Sequence, residues 1–401
     1  MPSALESLAA LIQDPALTHH AALRMDPLRL HIADTLGMMM QGASLAEGKA
    51  AMALGSPLAG WCACARLTEA DDIHLASCTT PGSVVVPTAI HLASLGAFKT
   101  WEDFATAVLA GYETLIRIGY AIDGPHVLFK KMWPTLFAAP AGAAAVACRA
   151  WKLDISQTAG ALATALSAST RIAAPAMMPN SSRWISLGLA AQHGLFAAMA
   201  AREGALGDAG FFNRAKLLYK AGTHFFFDAT ELKPYPIARQ ALTAVEACRE
   251  LVGARTKGIS SIMVSVTAPQ ERIIDHAEWP SNRMQSIAGV QYQIALALLY
   301  PERLMDFQRT PPFETKALRS LAARVRVQSD GRLHRYYPKE WPAYVVVEWT
   351  GKPKSMLLTT PRALQWKDVL VKSGSLLDPA RVSEMFGRAV ARILRDLPPG
   401  R

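Results

Sequence analysis

Residues 259–269 read "ISSIMVSVTAP". Ile262, Val264 and Val266 alternate with Ser261, Met263 and Ser265, and β-branched side chains dominate. That alternation predicts a strand. Three later stretches continue it: "ARVRVQSD" (323–330), "AYVVVEWTG" (343–351) and "KSMLLTT" (354–360). One helical run, "MQSIAGVQYQIALALLY" (284–300), interrupts them. Strands with one or two helices over about 120 residues make a small α/β domain.

Outward from this segment the period changes. From residue 3 to about 253, apolar residues recur three and four apart, as in "LRLHIADTLGMMMQG" (28–42), "WEDFATAVLAGYETLIRIGYAI" (101–122) and "ISQTAGALATALSAST" (155–170). These are helices. Ala and Gly are dense in "AAPAGAAAVACRA" (138–150) and "GLAAQHGLFAAMAA" (188–201), which suits closely packed helices. The tail "DPARVSEMFGRAVARILRDL" (378–397) is helical again. The expectation is a mainly α protein: a large all-helical domain from 1–255 plus 376–401, and a smaller α/β domain from 256–375.

The bulk numbers agree. A chain of 401 residues exceeds what one compact core usually holds. Apolar residues make up 51% and charged residues 18%, so the chain is not disordered. No apolar run reaches about 18 residues unbroken, so no membrane span is expected. The N-terminus lacks a basic leader, so no signal peptide is expected. The five cysteines are scattered, without zinc spacing, and read as free thiols in a reducing cytoplasm. The net charge of +10 is spread along the chain without a nucleic-acid motif. A small anion explains part of that excess better than nucleic acid.

Candidate chemistry sits at helix starts. "DDIHLASCTTPGS" (71–83) leads into an apolar helix. Thr80 reads as its N-cap with Pro81 at the first helical position, or the helix starts at Pro87. "KKMWPT" (130–135) and "NSSR" (180–183) precede two further small-residue helices. Free backbone N–H groups and the macrodipole favour anions at such positions. One such start is a plain cap; three in one helical domain suggest a carboxylate pocket. Lys233-Pro234-Tyr235-Pro236 is a stiff turn that holds a Lys and a Tyr near Arg239. His74 stands in a polar loop, where it can titrate near neutral pH and serve as a base. Asp71 and Asp72 are adjacent, so their side chains diverge and form no shared-proton pair.

Read together, five segments resemble the MmgE/PrpD family, which includes 2-methylcitrate dehydratases, cis-aconitate decarboxylases and an iminodisuccinate epimerase. They are "IADTLGMMMQG", "DDIHLASCTTPGSVVVP", "WPTLFAAPAGAAAVA", "SSRWISLGLAAQHGLFAA" and "LKPYPIARQAL", in that order. The resemblance implies a helical domain, an α/β lid, a homodimer and a site between the domains that needs no cofactor and no metal. There, small di- or tricarboxylates lose or rearrange a proton beside a carboxylate. Asp72, Lys233 and Tyr235 match the family pattern, and Tyr292 resembles a lid tyrosine. Thr80, Trp133, Ser186 and Leu242 stand where the family has histidines, and Arg183 where it has Lys. Ile73, or His74 with a shift of one, stands at the family Thr.

The expected function is a lyase of the dehydratase type acting on a small hydroxy- or polycarboxylic acid. An epimerase, or a homologue that binds without turnover, are the alternatives. The expected catalytic residues are Asp72, His74, Lys233, Tyr235 and Tyr292. The expected substrate ligands are Thr79, Thr80, Lys131, Trp133, Thr135, Arg183, Ser186 and Arg239. Trp133 in place of a histidine suggests a more apolar substrate.

Overall fold

The computed structural model describes residues 2–130, 132–169, 182–218, 222–276, 278–309, 312–349, 353–395 and 397. It forms two compact units. The first joins Met1–Ala176, Asn180–Leu232 and Leu364–Arg401, and the second is built on Lys233–Ala363.

The first unit is helical. Its helices start on side-chain caps that occupy otherwise orphaned N–H groups. Ser3 and Glu6 form a capping box before Ala4–Gln13, as do Asp154 and Gln157 before Ile155–Ser167, and Thr100 caps Trp101–Ala121. Trp101–Ala121 packs on Pro134–Ala150, which packs on Ser182–Arg202. Ser182–Arg202 also packs on Pro57–Leu67, and that helix on Met25–Ser44. One apolar core runs through all of them.

Small residues set the spacing. A Cβ at Gly194 would lie 1.9 Å from the Pro140 carbonyl oxygen, and one at Gly188 would lie 2.2 Å from that of Ala59. Backbone is touching backbone, so neither neighbour can rotate away. Gly194→Ala is therefore expected to cost about 1–3 kcal/mol through overpacking, read as a lower urea midpoint at an unchanged slope. A loss under about 0.5 kcal/mol would show that the helices part freely.

Among the described residues one helix, Arg183–Arg202, is long and apolar enough to cross a membrane by length and composition. The sequence reading counted no such run. Its alanines and glycines raise the hydropathy because they serve helix packing, and half of it is buried.

The second unit holds a four-stranded sheet. After the two-residue strands β1 (Ile73–His74) and β2 (Thr230–Glu231) of the first unit come β3 (Ile259–Val266), β4 (Val325–Ser329), β5 (Ala343–Trp349) and β6 (Lys354–Leu358). The order is β4-β3-β5-β6. β3 runs parallel to β4, with Val264 opposite Val327, and antiparallel to β5, with Val264 opposite Val345. Ala343, Val345, Val347 and Trp349 point into the core.

The units divide at Lys233 and Leu364, not at 256 and 376. Helix Arg239–Val252 packs on β5, β6 and the helix Val290–Leu299, because Ala241, Leu242, Val245 and Cys248 share the sheet's core. At the other end, helix Trp366–Ser373 packs on Met25–Ser44. Neither allegiance shows in helical period alone. The protein is thus mainly α, with a smaller mixed α/β unit.

Candidate active site

Thr68 to Ser83 form a buried loop whose backbone is held at both ends. Glu69 and Cys78 have φ of 56° and 54°, a left-handed conformation that costs a side-chain-bearing residue about 1–2 kcal/mol. Between them His74 pairs with Thr79 through both backbone groups, and β1 pairs with β2. Ser77 Oγ lies 2.9 Å from His74 Nδ1 and 2.7 Å from Thr79 Oγ1.

His74 is 2% exposed, and its ring meets the Phe226 ring edge-on at 5.5 Å. The Ser77 N–H donates to Nδ1, so the ring proton sits on Nε2. Burial, then the nearby His224, pushes its pKa down to about 3. That corrects the expectation of a base near neutrality: a neutral imidazole so weakly basic is a poor proton acceptor. Thr79 is likewise spent inside the loop.

Asp72 is fully buried. Its Oδ1 accepts the Gly82 N–H at 2.8 Å, and its Oδ2 accepts the Tyr112 hydroxyl at 2.7 Å, with His31 Nδ1 at 3.3 Å. Gly82 opens the helix Gly82–Ser94, so Asp72 caps it from a distance and Thr80 does not. A Cβ on Gly82 would fall 2.8 Å from both Asp72 Oδ2 and the Tyr112 hydroxyl, so only glycine leaves room. Burial, then Asp72, holds the Tyr112 pKa well above its usual value, and the phenol remains a donor. Asp71 points elsewhere, to Arg66 at 3.2 Å, so the two carboxylates diverge as expected.

Thr80 turns toward the next helix start instead. Its N–H donates to Thr135 Oγ1 at 3.1 Å, and the two hydroxyls are 3.3 Å apart. Thr135 lies in the first turn of Pro134–Ala150, whose N-cap is Trp133. The Trp133 ring carries two guanidiniums, Arg183 at 4.8 Å and Arg66 at 5.4 Å from its centroid. Glu69 bridges them, with Oε2 2.8 Å from Arg66 and Oε1 3.2 Å from Arg183. Burial opposes the Arg66 charge, but Asp71 and Glu69 outweigh it and raise its pKa.

Four of the expected ligands therefore meet in the first unit: Thr80, Trp133, Thr135 and Arg183. Sequence reading missed Arg66, Glu69, Tyr112 and His31. The signal was there: a carboxylate and a cation in "CARLTEADD", and an imidazole and a carboxylate in the apolar run "LHIADTLGMMM". Ser186 is not part of the group. It is exposed on Ser182–Arg202, beside Leu189 and His193, whereas Arg183 is buried. Lys131 lies outside the described residues.

The same unit contains a buried ion pair. Lys372 Nζ lies 2.7 and 2.9 Å from the two oxygens of Asp34 and donates to the Ala70 carbonyl beside the loop. Burial raises the Asp34 pKa, against the attraction of Lys372.

In the second unit Lys233 and Arg239 are buried. Tyr235 donates its hydroxyl to Glu246 at 2.6 Å, and Tyr292 donates to the Phe313 carbonyl at 2.9 Å. Burial, with Glu246 next for Tyr235, raises both phenol pKa values. Arg239 Nη1 donates to Thr243 one turn along its helix, at 3.0 Å.

No curated protein matches the chain significantly. Family models do. The MmgE/PrpD N-terminal domain matches residues 39–225, and the MmgE/PrpD C-terminal domain matches residues 235–372. The first matched region contains the loop at 71–83 and the paired helix starts, and the second begins at Tyr235, inside the Lys-Pro-Tyr-Pro turn, leaving Lys233 just outside it. The chain belongs to the MmgE/PrpD family.

Proposed function

We propose that the protein is a cofactor-independent lyase of the dehydratase type, acting on a small hydroxy- or polycarboxylic acid by removing the proton beside a carboxylate. One observation carries this reading: Thr80 and Thr135 bring two helix starts within hydrogen-bond distance, next to the Trp133–Arg183 stack. Hydroxyls, helix N-termini and guanidinium are the groups that hold a carboxylate and stabilise the enolate-like charge that develops on it. In the second unit, Lys233 is proposed to act on the proton, and Tyr292 or Tyr235 on a departing hydroxyl. Arg239 is kept as a proposed substrate ligand.

A second reading is binding without turnover. It is favoured by the commitment of His74 and Asp72 to structural hydrogen bonds. An epimerase in the same pocket is the third. A homodimer remains part of the proposal, supported by Leu189, Phe196 and Met199, which are exposed along one face of Ser182–Arg202.

One experiment separates the three. A panel of hydroxy- and polycarboxylic acids is incubated with the full chain in deuterated water and followed by NMR. A lyase shows loss of water to an unsaturated acid, with deuterium entering the recovered substrate. An epimerase shows deuterium at the α-carbon without loss of water. Saturable binding with neither change would sink the lyase reading.

A further inference from the structure

Glu69 stands where a helix end ordinarily takes glycine. It follows Thr68, the C-cap of Pro57–Leu67, and its φ of 56° is left-handed. The turn is fixed on both sides. The Glu69 N–H donates to the Arg66 carbonyl at 3.2 Å, and Thr68 Oγ1 donates to the Ala65 carbonyl and accepts the Ala70 N–H. A carboxylate here also sits at the negative end of the helix macrodipole. Backbone and dipole both disfavour glutamate at this position, and closing the helix does not require it.

The side chain supplies the reason. It is buried, and it spans Arg66 at 2.8 Å and Arg183 at 3.2 Å, the two guanidiniums that lie over the Trp133 ring. The two contacts are unequal. Arg66 also holds Asp71 at 3.2 Å, so it keeps a carboxylate when Glu69 moves away. Arg183 makes the longer contact to Glu69. A carboxylate on the Arg183 guanidinium is what the lyase reading asks of a bound acid. Here a carboxylate of the chain itself is on it.

We propose that Glu69 is a resident carboxylate that an incoming acid must displace from Arg183, and that this competition makes Glu69 a specificity-determining residue. The inference rests on the reading of Thr80, Thr135 and Arg183 as substrate ligands. Displacement is an exchange of ion-pair partners, in which no covalent bond forms or breaks. Because Glu69 is tethered beside Arg183, its effective concentration is on the order of millimolar or above. An acid that offers Arg183 a carboxylate and nothing more competes poorly against it. An acid that also bonds the Thr80 and Thr135 hydroxyls has the advantage.

Isothermal titration of the full chain with acetate, lactate, succinate and citrate, at fixed pH and ionic strength, tests it. Glu69→Gln keeps the shape of the side chain without its charge. It is expected to bind the tightest of these acids at least tenfold more tightly than the wild type does. Glu69→Asp keeps the charge but is one methylene too short to span both guanidiniums. It is expected to gain at least threefold, a gain that loss of charge does not explain. Aspartate also tolerates the left-handed conformation, so this variant decides if Glu69→Gln fails to fold. A glutamate that only orients the guanidiniums gives the opposite result, weaker binding in both variants. A gain below threefold in Glu69→Asp, or a loss, overturns the proposal even when Glu69→Gln binds more tightly, since that alone is an effect of charge. Turnover of a carboxylate by the wild type with these affinities unmoved overturns this inference and leaves the lyase reading standing. No binding of any of the four acids by any of the three proteins overturns both.

Discussion

Lys372→Met is expected to cost the first unit about 3–5 kcal/mol, the usual loss when one partner of a buried ion pair is removed. The Lys372 and Asp34 side chains are 1% and 0% exposed, so solvent screens neither. Methionine fills the space of the lysine stem but leaves the Asp34 carboxylate without its counter-charge. It also leaves the Ala70 carbonyl without its donor. The thermal midpoint should fall by on the order of 10 °C for a unit of this size. Adding Asp34→Asn to Lys372→Met should recover much of the loss, because the uncompensated charge is then gone. The deficit of the single variant should also shrink in acid, where Asp34, its pKa already raised by burial, takes up a proton. A single variant within about 0.5 kcal/mol of the wild type would show that the pair is not a keystone of the unit.

The second large effect is acid sensitivity arising from His74. In the folded chain burial holds its pKa near 3, against an ordinary value of 6.5. Between those values the unfolded chain binds a proton that the folded chain refuses. Stability conferred by the neutral ring is therefore present above pH 6.5 and is lost as pH falls toward 3. Each pH unit below 6.5 removes about 1.4 kcal/mol, so about 3 kcal/mol is gone by pH 4.5. His74→Gln keeps a group that can bond Ser77 but does not titrate. Urea unfolding at pH 7.0 and pH 4.5 should show the wild type losing about 3 kcal/mol more than the variant over that interval. Parallel losses in the two proteins would mean that His74 charges without resistance.

Much of the fold was legible because it depends on local period. Alternation at 259–266 and 343–349 produced β3 and β5 where expected, and the three-and-four spacing of 101–121 produced its helix. The allegiance of the helix at 239–252 was not legible. A helix shows which of its faces is apolar, not which neighbour covers it.

The candidate site divides the same way. Divergence of Asp71 and Asp72 follows from adjacency alone. The pairing of Thr80 with Thr135 spans 55 residues, and nothing in either segment names the other. His74 looked titratable because its neighbours in sequence are polar. Its surroundings in space are Phe226 and a closed loop, and these decide its basicity. Nothing in the sequence around Arg309 marks it as a buried residue. Only the turn in which Asp306 accepts its N–H sends it inward.

The first unit is interrupted: its third segment, from Leu364, follows the whole of the second. During synthesis Asp34 is made 338 residues before Lys372. At about 5–20 residues per second the gap is on the order of half a minute. Through that interval the nascent first unit holds a carboxylate whose partner does not yet exist, and it cannot reach its final core. The inserted second unit has all its strands by then and is free to fold first. The core of the first unit is thus completed by residues made only after the whole of the second.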